Sequence, residues 1–248
     1  MSYQIDFAND FAHFDILYAG IGKHLDMMNT GTMNGLIISG PPGVGKSFEV
    51  SRYLEAKAKD NYFRIKGHAT ELSLYLALYN YRYKGQIIVL DDTDSIVTKL
   101  EGLNILKAAT DSGNREISWE STTNRLGDSP SSFPYNGSVV IITNVAALQV
   151  SNKLKPHMNA LQDRCSRIVI SDGNEDTLFK QICFMVYNRH VLTNKNIPPS
   201  VQEEMLQYID QNKRKLRSLS LRALDRMVTY YDADPTTWKQ MSNLGLLK

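Results

Sequence analysis

Gly40-Pro41-Pro42-Gly43-Val44-Gly45-Lys46-Ser47 fits the pattern G-x-x-x-x-G-K-[ST]. Glycines let a backbone fold into a nest of inward-pointing N–H groups that cradles phosphate oxygens, and a helix starting at the end of the nest adds partial positive charge. Lys46 is placed to reach the β- and γ-phosphates of a nucleotide, and the Ser47 hydroxyl to take a Mg²⁺ coordination position. Two carboxylates complete the pattern. The unbroken aliphatic run Ile87-Ile88-Val89-Leu90 ends in Asp91-Asp92. Asp91 is placed to hold Mg²⁺, directly or through water. Asp92 points to the other side and is the candidate for polarising an attacking water, and Asp94, which shares its direction, is the alternative.

A phosphate loop works only between a strand and a helix, and the flanking sequence supplies both. Residues 36–39 form a buried-strand run before the loop, and the mixture of apolar and charged residues over 48–59 predicts a helix after it. Further strands are expected at 62–65, 86–90, 138–143 and 167–170, alternating with helices at 71–81 and 100–110. That alternation calls for a parallel sheet with crossover helices. The stretch 110–138 departs from it: Glu116-Ile117-Ser118-Trp119-Glu120 alternates, and 124–130 is dense in turn formers, as in a hairpin or extended loop inserted before the Val139 strand. After Gly173 strands give way to three helices, at 175–188, 199–211 and 218–231, with Pro198 and Pro199 separating the first two. The expected organisation is therefore an N-terminal segment 1–20, a nucleotide-binding α/β domain 21–173, a helical domain 174–231 and a tail 232–248.

Composition narrows the classes of function. Of the 248 residues, 28 are Lys or Arg and 26 are Asp or Glu, so the net charge is only +2. Any contact with nucleic acid must come from a local patch rather than from the whole chain. The run Lys213-Arg214-Lys215-Leu216-Arg217 is one such patch, with a solvated helix end as its ordinary reading. Two cysteines, Cys165 and Cys183, are too few for a disulfide framework and read as buried small hydrophobes of a reducing compartment. The five histidines show no ligand spacing, so no metal other than Mg²⁺ is expected. With no apolar run near the ~20 residues of a spanning helix and no signal-peptide pattern, the chain reads as cytoplasmic, with no membrane contact.

On these motifs the sequence resembles the AAA+ ATPases over roughly 21–230. The octapeptide Gly40 to Ser47, paired prolines included, is similar to the family's Walker A form, and 87–92 to its Walker B, although the family usually has Glu where Asp92 stands. The resemblance implies a three-layer α/β P-loop sandwich with a parallel central sheet, a small C-terminal all-α lid, ATP and Mg²⁺ as ligands, and ATP hydrolysis. Val140-Ile141-Ile142-Thr143-Asn144 resembles the sensor 1 strand, which would set Asn144 near the γ-phosphate and attacking water. Ala160-Leu161-Gln162-Asp163-Arg164-Cys165-Ser166-Arg167 resembles the segment that lends an arginine finger to the neighbouring subunit, with Arg164 as first choice and Arg167 as second. Ser218-Leu219-Ser220-Leu221-Arg222-Ala223-Leu224 resembles sensor 2, with Arg222 as its arginine. Ile21-Gly22 is the implied adenine-side contact.

The insertion before sensor 1 resembles that of viral superfamily-3 replicative helicases, whose hairpin projects into the channel of the ring. Trp119 and Arg125 fall in the corresponding stretch, where an aromatic ring can stack on bases and a guanidinium can pair with phosphate; Trp119 as core packing is the competing reading. The family also implies a homo-oligomer, a hexamer by analogy. The leading expectation is a phage or mobile-element ATPase that remodels nucleic acid or a nucleoprotein complex, like a replication helicase or helicase loader. A protein-remodelling ATPase and an ATP-dependent binding switch are the alternatives.

Overall fold

The computed structural model describes residues 7–119, 126, 129–144 and 149–248, with side chains from residue 11 onward. The chain divides into two units: Tyr18–Gly40 with Lys46–Ile170, and Met1–Leu17 with Pro41–Gly45 and Ser171–Lys248.

The first unit is built on a five-stranded parallel sheet. Its strands are β1 (Gly35–Ser39), β2 (Tyr62–Lys66), β3 (Ile87–Asp91), β6 (Ser138–Thr143) and β7 (Ser166–Val169), in the order β2-β3-β6-β1-β7. The three central strands are buried along their whole length. This is why 36–38, 87–90 and 139–142 are continuously aliphatic rather than alternating: a parallel sheet covered on both faces needs apolar residues on both. Ile37, Ile88, Leu90, Val139 and Ile141 share one cluster with Leu74 and Leu78 of α3 (Glu71–Asn80), Leu103 and Leu106 of α5 (Leu100–Thr110), and Met158 and Leu161 of α6 (Lys155–Arg164). Thr70 caps α3 with a reciprocal capping box to Ser73. α2 (Lys46–Lys57) follows β1, and a four-residue helix, α4 (Asp94–Val97), follows β3.

The insertion is a two-stranded antiparallel sheet of β4 (Glu116–Ser118) and β5 (Ser132–Pro134). Ile117 and Phe133 are buried against the same core cluster, so the base of the hairpin is anchored. Arg125 lies outside the described residues.

The second unit carries α7 (Glu175–Arg189), α8 (Pro199–Asn212), α9 (Leu221–Ala233) and α10 (Trp238–Leu246). Tyr208 and Trp238 stack edge to face at 5.9 Å, and Phe11 does the same with Phe184 at 5.5 Å. In α9 the buried residues Ala223, Leu224, Met227 and Val228 follow the helical repeat.

Two helices go beyond the sequence reading. α1 covers Phe7–Asn29, where only an N-terminal segment was expected up to residue 20. Its buried residues Phe11, Phe14, Tyr18, Ile21, Leu25 and Met28 recur at alternating steps of three and four, which is the periodicity of an amphipathic helix. The tail likewise folds, as α10, on the four-residue spacing of Trp238, Ser242 and Leu246.

Candidate nucleotide site

The sheet register gathers the motif residues at one edge. Asp91 pairs with Ile142 across β3 and β6, and Ser39 with Thr143 across β1 and β6. One residue on from these pairs come Gly40 and Asn144, so the C-terminal ends of three neighbouring strands deliver Asp91, Asn144 and the start of the glycine loop together. In open α/β sheets this carboxyl edge is where ligands bind.

Lys46 begins α2 and is buried; its Nζ donates to Gly40 O at 2.8 Å and to Asn144 Oδ1 at 3.3 Å. Ser47 Oγ donates to Asp91 Oδ1 at 2.7 Å. The loop lysine thus meets Asn144 at the end of β6, and the loop serine meets Asp91 at the end of β3. Asp91 is 0% exposed, and its Oδ2 makes no hydrogen bond. A buried carboxylate oxygen without a donor, beside a serine hydroxyl, is the donor set a hard divalent cation takes. The residues present therefore fit Mg²⁺.

Arg64 is a residue that the sequence reading passed over. It lies on β2, its Nη1 is 3.8 Å from Asp91 Oδ2, and its Nε and Nη2 are buried without hydrogen bonds. The one sequence signal was a basic residue inside the strand Tyr62-Phe63-Arg64-Ile65, next to the strand that carries Asp91.

Asp92 is exposed and adopts φ 53°, in the left-handed region that few residues other than glycine enter. Its N–H donates to Ile142 O at 3.2 Å, which ties this turn to β6. Asp94 accepts a hydrogen bond from Thr143 Oγ1 at 3.3 Å. The two carboxylates weighed for water activation are thus held differently: Asp92 by backbone conformation, Asp94 by the strand that leads to Asn144.

Within the second unit, Gly43 and Gly45 have φ +74° and +91°. A Cβ on Gly43 would lie 2.6 Å from Ser220 Cβ and 3.7 Å from Arg222 Cγ, and Leu221 N–H donates to Gly43 O at 2.9 Å. The segment that resembles sensor 2 therefore packs directly on the glycine turn.

Arg164 is engaged within its own chain. Its Nε donates to Asp111 Oδ2 at 3.1 Å and its Nη1 to Ala160 O at 2.8 Å. The Gly113 N–H and then Arg164 hold the Asp111 carboxyl below the usual carboxylate range. Arg167, on edge strand β7, is exposed. Lys107, hydrogen-bonded to His157 Nδ1 at 3.0 Å, is pushed below the usual lysine value by burial and then by Arg164.

Ile21 is 1% exposed inside α1, so its side chain offers a nucleotide no surface, and Gly22 sits 3.9 Å (from its would-be Cβ) from the Tyr53 ring. Trp119 packs on the core cluster, 5.7 Å from the Tyr75 ring, with Nε1 buried and without a hydrogen bond. Burial pushes the thiols of Cys165 and Cys183 up to about 11 and about 12, where they behave as apolar groups. No group of three or more His, Cys, Asp or Glu able to hold a metal occurs among the described residues, and none of their helices is long and apolar enough to cross a membrane.

No family model matches the sequence. A protein of Enterobacteria phage T4, an uncharacterized 36.7 kDa protein in the nrdC-mobD intergenic region, is 27% identical over 232 residues, 88% of this chain and 71% of its own length. The structure resembles domain III of the Thermotoga maritima replication initiation protein DnaA, with a TM-score of 0.50 and 15% identity, over 100% of this chain and 95% of that one. It also resembles a variant of Thermotoga maritima RuvB, with a TM-score of 0.52 and 12% identity, over 92% of this chain and 68% of that one.

Proposed function

We propose that this chain, which has the AAA+ fold, is a Mg²⁺-dependent ATPase that assembles into a ring or spiral and couples hydrolysis to remodelling of nucleic acid or a nucleoprotein complex. The observation that carries the reading is the convergence of Lys46 with Asn144, and of Ser47 with Asp91, at the carboxyl edge of the sheet.

Each residue has a derived task. The amides of Gly40 to Ser47 cradle the phosphates, and Lys46, already near Asn144, neutralises the β- and γ-phosphate oxygens. Ser47 and Asp91 would hold Mg²⁺, which would supply positive charge against that of the phosphates. Asn144 orients the γ-phosphate and the attacking water, and Asp92, or Asp94 in its place, accepts the water's hydrogen bond. Arg164, or the exposed Arg167, supplies positive charge to the site of a neighbouring subunit. On this role turnover depends on assembly, so the reading includes a homo-oligomer, a hexamer by family analogy.

The fold-level likeness to domain III of a replication initiation protein supports the nucleic-acid reading. Trp119 favours a second reading, because its ring is committed to the core rather than free to stack on bases. On that reading the hairpin engages a polypeptide. ATPase rates measured alone, with single- or double-stranded DNA, with RNA and with an unfolded protein separate the two. Stimulation by nucleic acid that disappears in Lys46→Ala is the expected result. A rate indifferent to every nucleic acid sinks the leading reading.

A further inference from the structure

Three arginines surround a cavity of about 170 Å³ in the helical unit, at the start of α9. Arg217, Arg222 and Arg226 line it together with Ser218, Ser220 and Leu246. All three arginines are exposed at the cavity rim, and Ser220 forms a buried wall. Arg222 and Arg226 are one helical turn apart on the face of α9 opposite its buried residues. Like charges at that spacing repel, and an anion bound between them would relieve the repulsion.

The surrounding carboxylates do not supply one. Asp225, the acidic residue beside Arg226, is bonded to Lys195 at 2.7 Å. In the basic run Lys213 is taken up by Asp176 and Asp210, and Arg214 lies 4.0 Å from Glu175. No carboxylate pairs with Arg217, Arg222 or Arg226 among the described residues. Arg217 is also held in place: its Nε donates to Leu247 O at 2.9 Å, its N–H to Leu246 O at 2.9 Å, and Leu216 bridges Leu247 in antiparallel fashion. With Nε fixed by the carbonyl, the two terminal nitrogens of the guanidinium are left for a ligand. A planar fork presented this way suits tetrahedral phosphate oxygens.

We propose that this pocket binds a backbone phosphate of single-stranded nucleic acid, and so names where the substrate in the proposed function is held. The inference rests on that reading. Two features favour a phosphodiester over the nucleotide's own phosphates. The rim is open and exposed, which suits a ligand whose remainder runs on across the surface. Ser220 also stands between this cavity and Gly43, so the loop that cradles ATP occupies the other side of that wall. Lys215, exposed two residues before Arg217, extends the positive strip along which a polyanion would lie.

The test is fluorescence anisotropy of a labelled oligodeoxynucleotide titrated with the full chain over a range of salt concentrations. Arg217→Ala/Arg226→Ala is compared with wild type, and a fluorescent ATP analogue is titrated in parallel. Two lost phosphate contacts on a single strand are expected to flatten the log K against log salt slope by about 1.4, with nucleotide affinity unchanged. Arg226→Glu, a single change on an exposed helix face, is expected to weaken oligonucleotide binding further than Arg226→Ala. Equal oligonucleotide affinity and slope in wild type and double variant overturn the pocket and leave the proposed function standing. Weaker binding of the ATP analogue by the double variant reassigns the pocket to the nucleotide and overturns it as well. A wild type that binds no nucleic acid overturns the pocket together with the nucleic-acid half of the reading.

Discussion

Asp91→Asn tests the metal assignment, because the structure makes opposite demands on stability and on binding. In the free protein the Asp91 carboxylate is 0% exposed, accepts one hydrogen bond from Ser47 and has Arg64 at 3.8 Å. Attraction to a guanidinium at that distance is about 4 kcal/mol at an effective dielectric constant of 20. Against it stands the desolvation of a buried carboxylate, which is several kcal/mol. Asparagine keeps the shape and leaves Arg64 unpaired, but Arg64 is only partly buried, so the loss in folding stability should stay below the ~3–5 kcal/mol of breaking a fully buried pair. Binding behaves differently. At a hundredfold excess over its dissociation constant, Mg-ATP stabilises a protein that binds only in the folded state by about 2.7 kcal/mol. For a chain of this size that is a rise of roughly 5–11 °C in midpoint. Thermal unfolding with ATP, in EDTA and then in excess Mg²⁺, reads both effects. Wild type should gain the Mg²⁺-dependent increment; Asp91→Asn should lose it and remain folded without ligand. An undiminished increment in the variant refutes the metal site. A collapse of more than about 4 kcal/mol without ligand shows instead that Asp91 serves the fold through Arg64.

Gly43→Ala forces a Cβ to within 2.6 Å of Ser220 Cβ at φ +74°. The left-handed strain of about 1–2 kcal/mol and the overpacking of about 1–3 kcal/mol should lower the unfolding midpoint by several degrees; an unchanged midpoint contradicts the loop conformation. Arg164→Ala should bind ATP and assemble normally, yet hydrolyse at least about a thousandfold more slowly. Asp111→Asn, which loosens the intrachain partner of Arg164, should hydrolyse no more slowly than wild type; normal turnover in Arg164→Ala passes the role to Arg167. Asp92→Asn should accumulate bound ATP in single-turnover assays while Asp94→Asn turns over, and the reverse pattern assigns water activation to Asp94.

The phosphate loop and the Asp91 strand were legible in the sequence because each is a local pattern, and because both flanks matched: an aliphatic run that must be buried before the loop, a helix after it. A parallel sheet followed from the same alternation; its strand order, β2-β3-β6-β1-β7, is set by topology and did not. Arg64 was not legible. Its importance depends on β2 lying beside β3 in a register that pairs Lys66 with Asp91, which is a property of topology rather than of neighbouring residues. α1 was legible in principle, since its six buried positions keep a strict three-and-four spacing. Trp119 could not be decided from sequence, because a strand alternates its faces and only the position of Tyr75 fixes which face is the core.

Charge gives the most economical route from this structure to function. Lysines of the helical unit that could have been free, such as Lys195, Lys213 and Lys239, are joined to aspartates or glutamates. Against that background two places stand out among the described residues. At Asp91 a fully buried carboxylate keeps one oxygen without a hydrogen bond, and at Arg217, Arg222 and Arg226 three guanidiniums share a cavity with no carboxylate. The first is unfavourable in the free protein because the carboxylate is buried, and the second gathers exposed positive charge that a ligand of opposite sign would meet. The first calls for a cation beside a phosphate loop, the second for a phosphate on an open surface. A protein that binds nucleotide at one and polyanion at the other would gain stability from both ligands, and the two gains should add if the sites are independent. A gain with both ligands larger than the sum of the separate gains would mean that nucleotide state and grip on the polyanion are coupled, which is what an ATP-driven remodeller requires.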